Sequence, residues 1–238
     1  MNLPPLIEGR LLKRYKRFLA DIQFGSYAET VHCPNPGAMT GLSEPGTRVW
    51  CSISQNPKRK YRKTLEMAEV KGCLVGIHTG RPNAIAMEAF EKGLIPALRA
   101  WPFIRQEYSW NKETRFDFRL DQNPVGKRGM LIEVKNVHLV RPQGPHPGAA
   151  EFPDSITSRG TKHLHELGKA LKKGWEASML YIVQREDVDR FAVASDIDPL
   201  YAEAFHEVTG MGVRVLAWSC RVTLEKIEIQ RELPVEVD

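Results

Sequence analysis

The chain has 238 residues, 42% hydrophobic and 26% charged, with a formal net charge of +5. That composition excludes a fibrous or disordered chain, and no apolar run reaches the roughly 20 residues that cross a bilayer as a helix. The positive balance admits a polyanionic partner without establishing one, and Cys33, Cys51, Cys73 and Cys220 contain no C-x-x-C pair, which excludes zinc-ribbon spacing.

The N-terminal "MNLPPLIEGRLLKRYKRF" has no continuous apolar core of the kind a secretory signal needs. With four scattered cysteines in a chain long enough to bury its own core, the expected location is cytoplasmic, with reduced thiols. From Leu6 to His78 the pattern is β throughout. The expected strands are "GRLLKRYKRFLADIQF", "AETVHCP", "TRVWCSIS", "RKTLEMAEV" and "CLVGIHT", parted by turn-rich segments such as "CPNPGAMTGLSEPG" and "SQNPKRK". Short strands at this density fit an OB-fold barrel; an SH3-like barrel fits the same pattern.

This region carries two basic runs with embedded tyrosines. One is Arg10, Lys13, Arg14, Tyr15, Lys16 and Arg17; the other is Lys58, Arg59, Lys60, Tyr61, Arg62 and Lys63. A solvated surface explains either run alone. Together, on a barrel of this kind, they point to nucleic acid, since cations neutralise phosphates and aromatics stack on bases.

The period changes near residues 79 to 83, which sets the expected domains at 1–80 and 81–238. "PNAIAMEAFEKGLI", residues 82 to 95, is spaced as a helix opening on Pro82. Strands "FIRQEYSW", "TRFDFRLD" and "GMLIEVKNVHLV" follow, then a Pro- and Gly-rich loop over residues 141–160. Helix "TKHLHELGKALKKG", strands "ASMLYIVQR" and "RFAVAS", helix "PLYAEAFHEVTGMG" and strand "VRVLAWSCRV" complete a mixed α/β (α+β) order.

Two of these strands carry charge where a core is expected. In "RFDFRLD", Phe116, Phe118 and Leu120 share one face and Asp117 lies on the other; in "LIEVKNVHL", Glu133 and Lys135 oppose Ile132 and Val134. "QNPVGKRG" joins them with strong turn chemistry. An antiparallel hairpin centred near Val125 pairs residues whose numbers sum to about 250, which sets Asp117 opposite Glu133. Two facing carboxylates repel unless a cation lies between them. Lys135 answers this in part, and Mg²⁺ or Mn²⁺ answers it better, because such ions take carboxylates, waters and phosphate oxygens. A divalent ion beside a lysine is the equipment for phosphodiester hydrolysis. The second Glu-x-Lys triplet, Glu69 and Lys71, has no facing acid and reads as a solvated pair. On the later helix, Arg159 and Lys162 lie near an N-terminus and suit phosphate, while ordinary capping and solvation explain them equally well. His163 and His165, two apart, do not share a helical face as a metal pair would require.

The order helix, strand, strand with Asp117, strand with Glu133-x-Lys135, helix, strand resembles the PD-(D/E)xK nuclease core. The resemblance matches Glu88 to a helical acid that assists the metal, and Gln184 to a glutamine found after the second helix. Over nearly the whole chain, "LLKRYKRFLADI", "HCPNPGAMTGL", "NPKRKYRKTLEM", "FDFRL", "IEVKNVHL" and "FPDSITSRGTKHLHEL" look like the sugar fermentation stimulation protein A family. That resemblance implies an OB-like N-terminal domain, a nuclease-like C-terminal domain, non-specific DNA binding and a link to sugar-fermentation gene regulation. It leaves three functions open: a Mg²⁺-dependent nuclease on DNA, a non-enzymatic DNA-binding regulator on a nuclease scaffold, and an RNA-processing nuclease. The expected metal set is Asp117, Glu133 and Glu88, with Lys135 placing the attacking water.

Overall fold

A computed structural model describes residues 1–236. The N-terminal part is a six-stranded sheet of β1 (Leu6–Tyr15), β2 (Leu19–Phe24), β3 (Tyr27–His32), β4 (Arg48–Ile53), β5 (Lys63–Val70) and β6 (Cys73–Gly76), in the order β3-β2-β1-β4-β5-β6. Neighbours are antiparallel, and the sheet curls until His32 of β3 meets Thr64 of β5. Alternation builds the inside: Ala20, Ile22 and Phe24 of β2 are buried, with Leu11, Val31, Val49, Leu65 and Val75 around them.

The stretch from Gly9 to Phe24, expected as one strand, is a hairpin. Its turn lies at Lys16 and Arg17, whose φ angles are 49° and 61°. Those values belong to the left-handed region that glycine and asparagine favour. Two long cations in that conformation gave no turn signal. Glu69 departs from expectation as well. It pairs with Arg48 at 2.9 Å across the sheet, while Lys71 occupies a turn.

The rest of the chain runs α1 (Pro82–Glu91), a 3₁₀ turn (Pro96–Leu98), β7 (Phe103–Ser109), β8 (Arg115–Asp121), β9 (Met130–Val137), β10 (Ala150–Phe152) and α2 (Ser158–Lys172). It continues through β11 (Glu176–Val183), β12 (Phe191–Val193), α3 (Pro199–Gly210), β13 (Arg214–Val222), β14 (Ile227–Glu232) and β15 (Val235–Glu236). The main sheet has the order β14-β13-β11-β9-β8-β7. Its central strands β9, β11 and β13 are parallel, and β8, β7 and β14 add antiparallel edges. Strands covered on both faces need apolar runs; "MLYIV" in β11 supplies one, while β9 carries "MLI" and then breaks its run with Glu133. Helix α1 ends at Glu91, four residues before its expected limit, with Gly93 (φ 60°) and Pro96 beyond. β12, expected within "RFAVAS", joins β10, which lies in the segment expected as loop, and β15 in a small parallel sheet. β10 and β15 are too short to show a period.

Leu164, Leu167, Tyr201, Phe205 and Val208 of α2 and α3 cover one face of the main sheet, packing on Phe116, Leu131, Met179 and Tyr181. On the other face, Ile85 and Ala89 of α1 are joined by Trp50 and Met67 of the N-terminal sheet, against Phe118, Ile132 and Leu180. The two sheets therefore share a core. Polar ties reinforce it. Gly76 N–H donates to Gln184 O at 2.8 Å across the two parts, and within the N-terminal part Asn35 Nδ2 donates to Ile77 O at 2.9 Å. Buried Glu66 accepts from Arg81 Nη2 and from Ser52 Oγ, each at 2.7 Å.

The β8–β9 hairpin pairs Phe118 with Ile132, Arg119 with Leu131 and Leu120 with Met130, the register in which residue numbers sum to 250. Gly129 sets its end. A Cβ there would lie 2.2 Å from Leu120 O and 2.5 Å from Asp121 Oδ1. Gly129→Ala should destabilise the chain by about 1–3 kcal/mol, the usual cost of overpacking, read as a lower urea midpoint at unchanged m value.

Candidate functional site

The β8–β9 ladder stops at Phe118–Ile132, one residue short of an Asp117–Glu133 pair, and Asp117 meets β9 through its side chain. Asp117 Oδ2 accepts the Val134 backbone N–H at 2.7 Å, and its Oδ1 accepts Asn83 Nδ2 at 2.8 Å from the first turn of α1. Glu133 is buried at 4% exposure. Its Oε1 takes Lys135 Nζ at 2.6 Å and also the Nδ1–H of His163, which α2 lays over β9. Its Oε2 is buried with no hydrogen-bond partner. An orphaned carboxylate oxygen in a low-dielectric site is costly, and a cation relieves that cost.

The acids differ in their titration. Burial raises the Asp117 pKa, and the Glu133 charge raises it further, against the Val134 N–H, Asn83 and Lys135. Burial also pushes Glu133 up, but Lys135 and the His163 hydrogen bond outweigh it and leave Glu133 below its ordinary value. Glu133 is thus held as an anion beside an acid whose ionisation its charge opposes. Among the described residues no group of three or more His, Cys, Asp or Glu is arranged to hold a metal ion. The donors are two carboxylates, a set that suits Mg²⁺ completed by waters and phosphate.

Two cavities flank the cluster. One, of about 810 Å³, is lined by Asp117, His163, Arg115, Arg159 and Lys162. The other, of about 500 Å³, lies between the two domains and is lined by Lys135, Asn136, His138 and Arg159 on one side and Arg17 and Asn35 on the other. Arg159 belongs to both.

Glu88 is not part of this cluster. Its carboxylate is taken by the N-terminal ammonium and by Lys92. α1 contributes Asn83 instead, near the helix start where it meets β8. Gln184 is buried behind Asn136 and hydrogen-bonds it, with a second contact to His78 O at 3.4 Å. His163 gave little signal in sequence: it lies on the buried stripe with Leu164 and Leu167 and reads there as a core residue.

The basic residues divide. Arg14 is committed to structure, donating to four backbone carbonyls: Asn35 and Gly37 at 2.7 Å, Arg17 at 3.0 Å and Ala38 at 3.4 Å. It buttresses the Pro34–Gly37 loop and is corrected from phosphate contact to loop support. Arg14→Ala should cost about 2–3 kcal/mol, since it strips a charged donor from several carbonyls, read as a lower urea midpoint. Tyr15 is anchored through its hydroxyl to Asp21 at 3.0 Å and Thr30 at 3.2 Å. Arg10 donates to Gly46 O at 3.0 Å, and Lys13 is 3.4 Å from Asp21. Lys16 and Arg17 stand exposed at the hairpin tip.

In the second run Lys58, Arg59, Lys60 and Arg62 are exposed, and Lys60 lies 5.4 Å from the Tyr61 ring. Lys63 is paired with Glu29. This run lines a cavity of its own with Glu29 and Ile53, separate from the carboxylates. Lys162 is paired with Glu113 at 2.9 Å across the larger cavity. Among the described residues no helix is long and apolar enough to cross a membrane.

A curled N-terminal sheet packed on a mixed sheet that carries paired acids and a lysine defines a two-domain protein of OB and nuclease-like type. The family models agree with both halves: residues 12–77 match the SfsA N-terminal OB domain, and residues 80–226 match the sugar fermentation stimulation protein RE domain. The chain belongs to the sugar fermentation stimulation protein family. Relatives described as sugar fermentation stimulation protein homologs from Brucella ovis and Brucella canis are 45% identical over 234 residues, covering 98% of this chain and 95% of theirs. The solved structure of Pyrococcus furiosus SfsA, in complex with Ca²⁺, superposes with a TM-score of 0.86 at 26% identity, over 99% of this chain and 98% of that one.

Proposed function

We propose that this protein is a divalent-cation-dependent phosphodiesterase that binds DNA without reading its sequence, and that Asp117 and Glu133 hold the cation. The observation that carries this reading is the buried, partnerless Glu133 Oε2, on the strand paired with that of Asp117. The Ca²⁺ complex of the Pyrococcus furiosus relative supports it, because Ca²⁺ and Mg²⁺ both take oxygen ligands. Mg²⁺ or Mn²⁺, when bound, would polarise a phosphoryl group and offset its charge. Lys135 lines the crevice with its ammonium at Glu133 Oε1, placed to orient a water and to face phosphate charge. His163 fixes the Glu133 side chain from behind. Arg17, Arg159 and the exposed run Lys58–Arg62 supply backbone attraction, so affinity should fall steeply with added salt; an affinity flat from low to moderate salt would contradict that role.

A second reading has its own support. Lys135 and His163 already compensate Glu133, which suits a DNA-binding regulator on a nuclease scaffold. Labelled DNA and RNA incubated with purified protein in Mg²⁺, Mn²⁺ or EDTA separate the two. Metal-dependent cutting supports the phosphodiesterase and identifies its substrate. Tight binding without cutting in either metal leaves the regulator.

A further inference from the structure

We infer that Asn83 is a protein ligand of the divalent cation beside Asp117 and Glu133, through the oxygen of its side-chain amide. This rests on the reading of those two carboxylates as the cation site, and adds to it the residue by which α1 takes part.

Among the described residues no third His, Cys, Asp or Glu completes a metal-binding group with the two carboxylates. A further side-chain ligand is therefore a neutral oxygen, and α1 is placed to supply it. The acid of that helix is out of reach. Glu88 lies five residues beyond Asn83, about 7.5 Å further along the axis, and is held by the N-terminal ammonium and by Lys92. Asn83 is at the site, with Nδ2 donating to Asp117 Oδ1 at 2.8 Å. The helix behind it fixes its place. Pro82 opens α1, and Ile85, Ala86 and Ala89 are buried in one cluster with Phe118 of β8 and Ile132 and Val134 of β9.

The spacing suits a ligand. With bonds of about 2.1 Å at right angles, two neighbouring ligands of an octahedral Mg²⁺ lie roughly 2.9 Å apart. The Asn83 amide stands at that spacing from an Asp117 oxygen. The atom nearest the carboxylate is the nitrogen, whose hydrogens cannot meet a cation. A half-turn about Cβ–Cγ exchanges it for Oδ1, and that torsion is broad and nearly two-fold. One hydrogen bond holds the amide as it stands, because among the described residues Asn83 Oδ1 accepts none. An amide thus serves both states of the site. Its N–H steadies Asp117 without a cation, and its oxygen meets a cation that binds. A carboxylate at position 83 would serve only the second, and would set a third negative charge beside two.

The test is isothermal titration calorimetry of Mg²⁺ and Mn²⁺ into the purified protein without nucleic acid, so that binding is read apart from any cleavage. Asn83→Ala should bind either ion about 10–100-fold more weakly, at least the loss that removing a supporting group brings at a metal site. Asn83→Asp keeps an oxygen at the position and should bind at least as tightly as wild type. Neither variant can donate to Asp117, so a role confined to that hydrogen bond predicts a loss in both. The position is partly exposed in the first turn of α1, where alanine and aspartate both suit a helix; circular dichroism checks that the variants fold. Crystals soaked in Mn²⁺ should show Asn83 Oδ1 at coordination distance from the ion. An unchanged affinity in Asn83→Ala, a loss of similar size in both variants, or an ion held by Asp117 and Glu133 with Asn83 Oδ1 beyond coordination distance would overturn this inference alone. A wild-type protein that binds neither ion would remove the proposed cation site as well.

Discussion

Glu133→Gln and Lys135→Ala should each lower metal-dependent DNA cleavage by about 10²–10⁴-fold, the range for losing a positioned acid–base group or a charge aimed at the reacting phosphate. The two should differ in how they fail. Glu133→Gln removes the anion that faces the cation, so its loss should be partly recovered at high Mn²⁺ concentration. Lys135→Ala leaves both carboxylates in place, so the cation should still bind while turnover stays low at any metal concentration. Lys135 Nζ and His163 both address the same oxygen of Glu133, which leaves the other free. His163→Ala should therefore weaken cation affinity by about 10–100-fold, as loss of a supporting hydrogen bond does at metal sites. Single-turnover cleavage across a metal titration reads all three.

Asp117→Asn should make the metal-free protein more stable, not less. Burial and the Glu133 charge raise the Asp117 pKa above the ordinary carboxyl value. The folded state therefore binds that proton more tightly than the unfolded state does. Its ionisation costs stability as pH rises from the ordinary aspartate value through the raised one, and the cost is fully present above it. Glu133 behaves oppositely. Its lowered pKa gives stability that is present above the ordinary glutamate value and lost as pH falls through the lowered one. Comparing wild type with Asp117→Asn isolates the first effect. In EDTA at neutral pH the variant should melt about 2–4 °C higher, the shift that ~1 kcal/mol brings in a chain of this size. With saturating Mg²⁺ or Ca²⁺ the order should reverse. Wild type should gain about 2.7 kcal/mol at a hundredfold excess over Kd, and the variant little. Thermal unfolding with and without cation at two pH values reads both. A destabilised variant in EDTA would mean that the Val134 and Asn83 hydrogen bonds outweigh the repulsion.

What was legible in the sequence follows the range of the signal. The hairpin register is local and set by turn chemistry, so the Phe118–Ile132 pairing was readable from residues 115–137. The alternation expected to put Phe116 and Phe118 on one face does not hold, since Phe116 packs with α2 and α3 and Phe118 with α1, and Asp117 meets β9 through the Val134 N–H instead of a ladder pair with Glu133. The place of Glu88 was not readable, because which turn of α1 meets β8 depends on packing between elements; the helix touches the site through Asn83, near its start. His163 carries the same lesson, since a buried histidine on a leucine stripe cannot be told from core until β9 is laid beneath it. Arg14 shows that a basic run is not one surface. Its neighbours reach solvent, while strand geometry turns its guanidinium onto the Asn35 and Gly37 carbonyls. In the small sheet of β10, β12 and β15, β12 was readable within "RFAVAS", while β10 and β15, far from it in sequence, are too short to show alternation.

The pairing of Asp117 and Glu133 as a cation site is tested most directly by diffraction from crystals soaked in Mn²⁺, with data collected at its absorption edge. An anomalous peak within coordination distance of both carboxylates, absent from Asp117→Asn crystals, is the expected result. No peak there at saturating Mn²⁺, or a peak elsewhere with both acids unliganded, would contradict the metal site and the chemistry built on it.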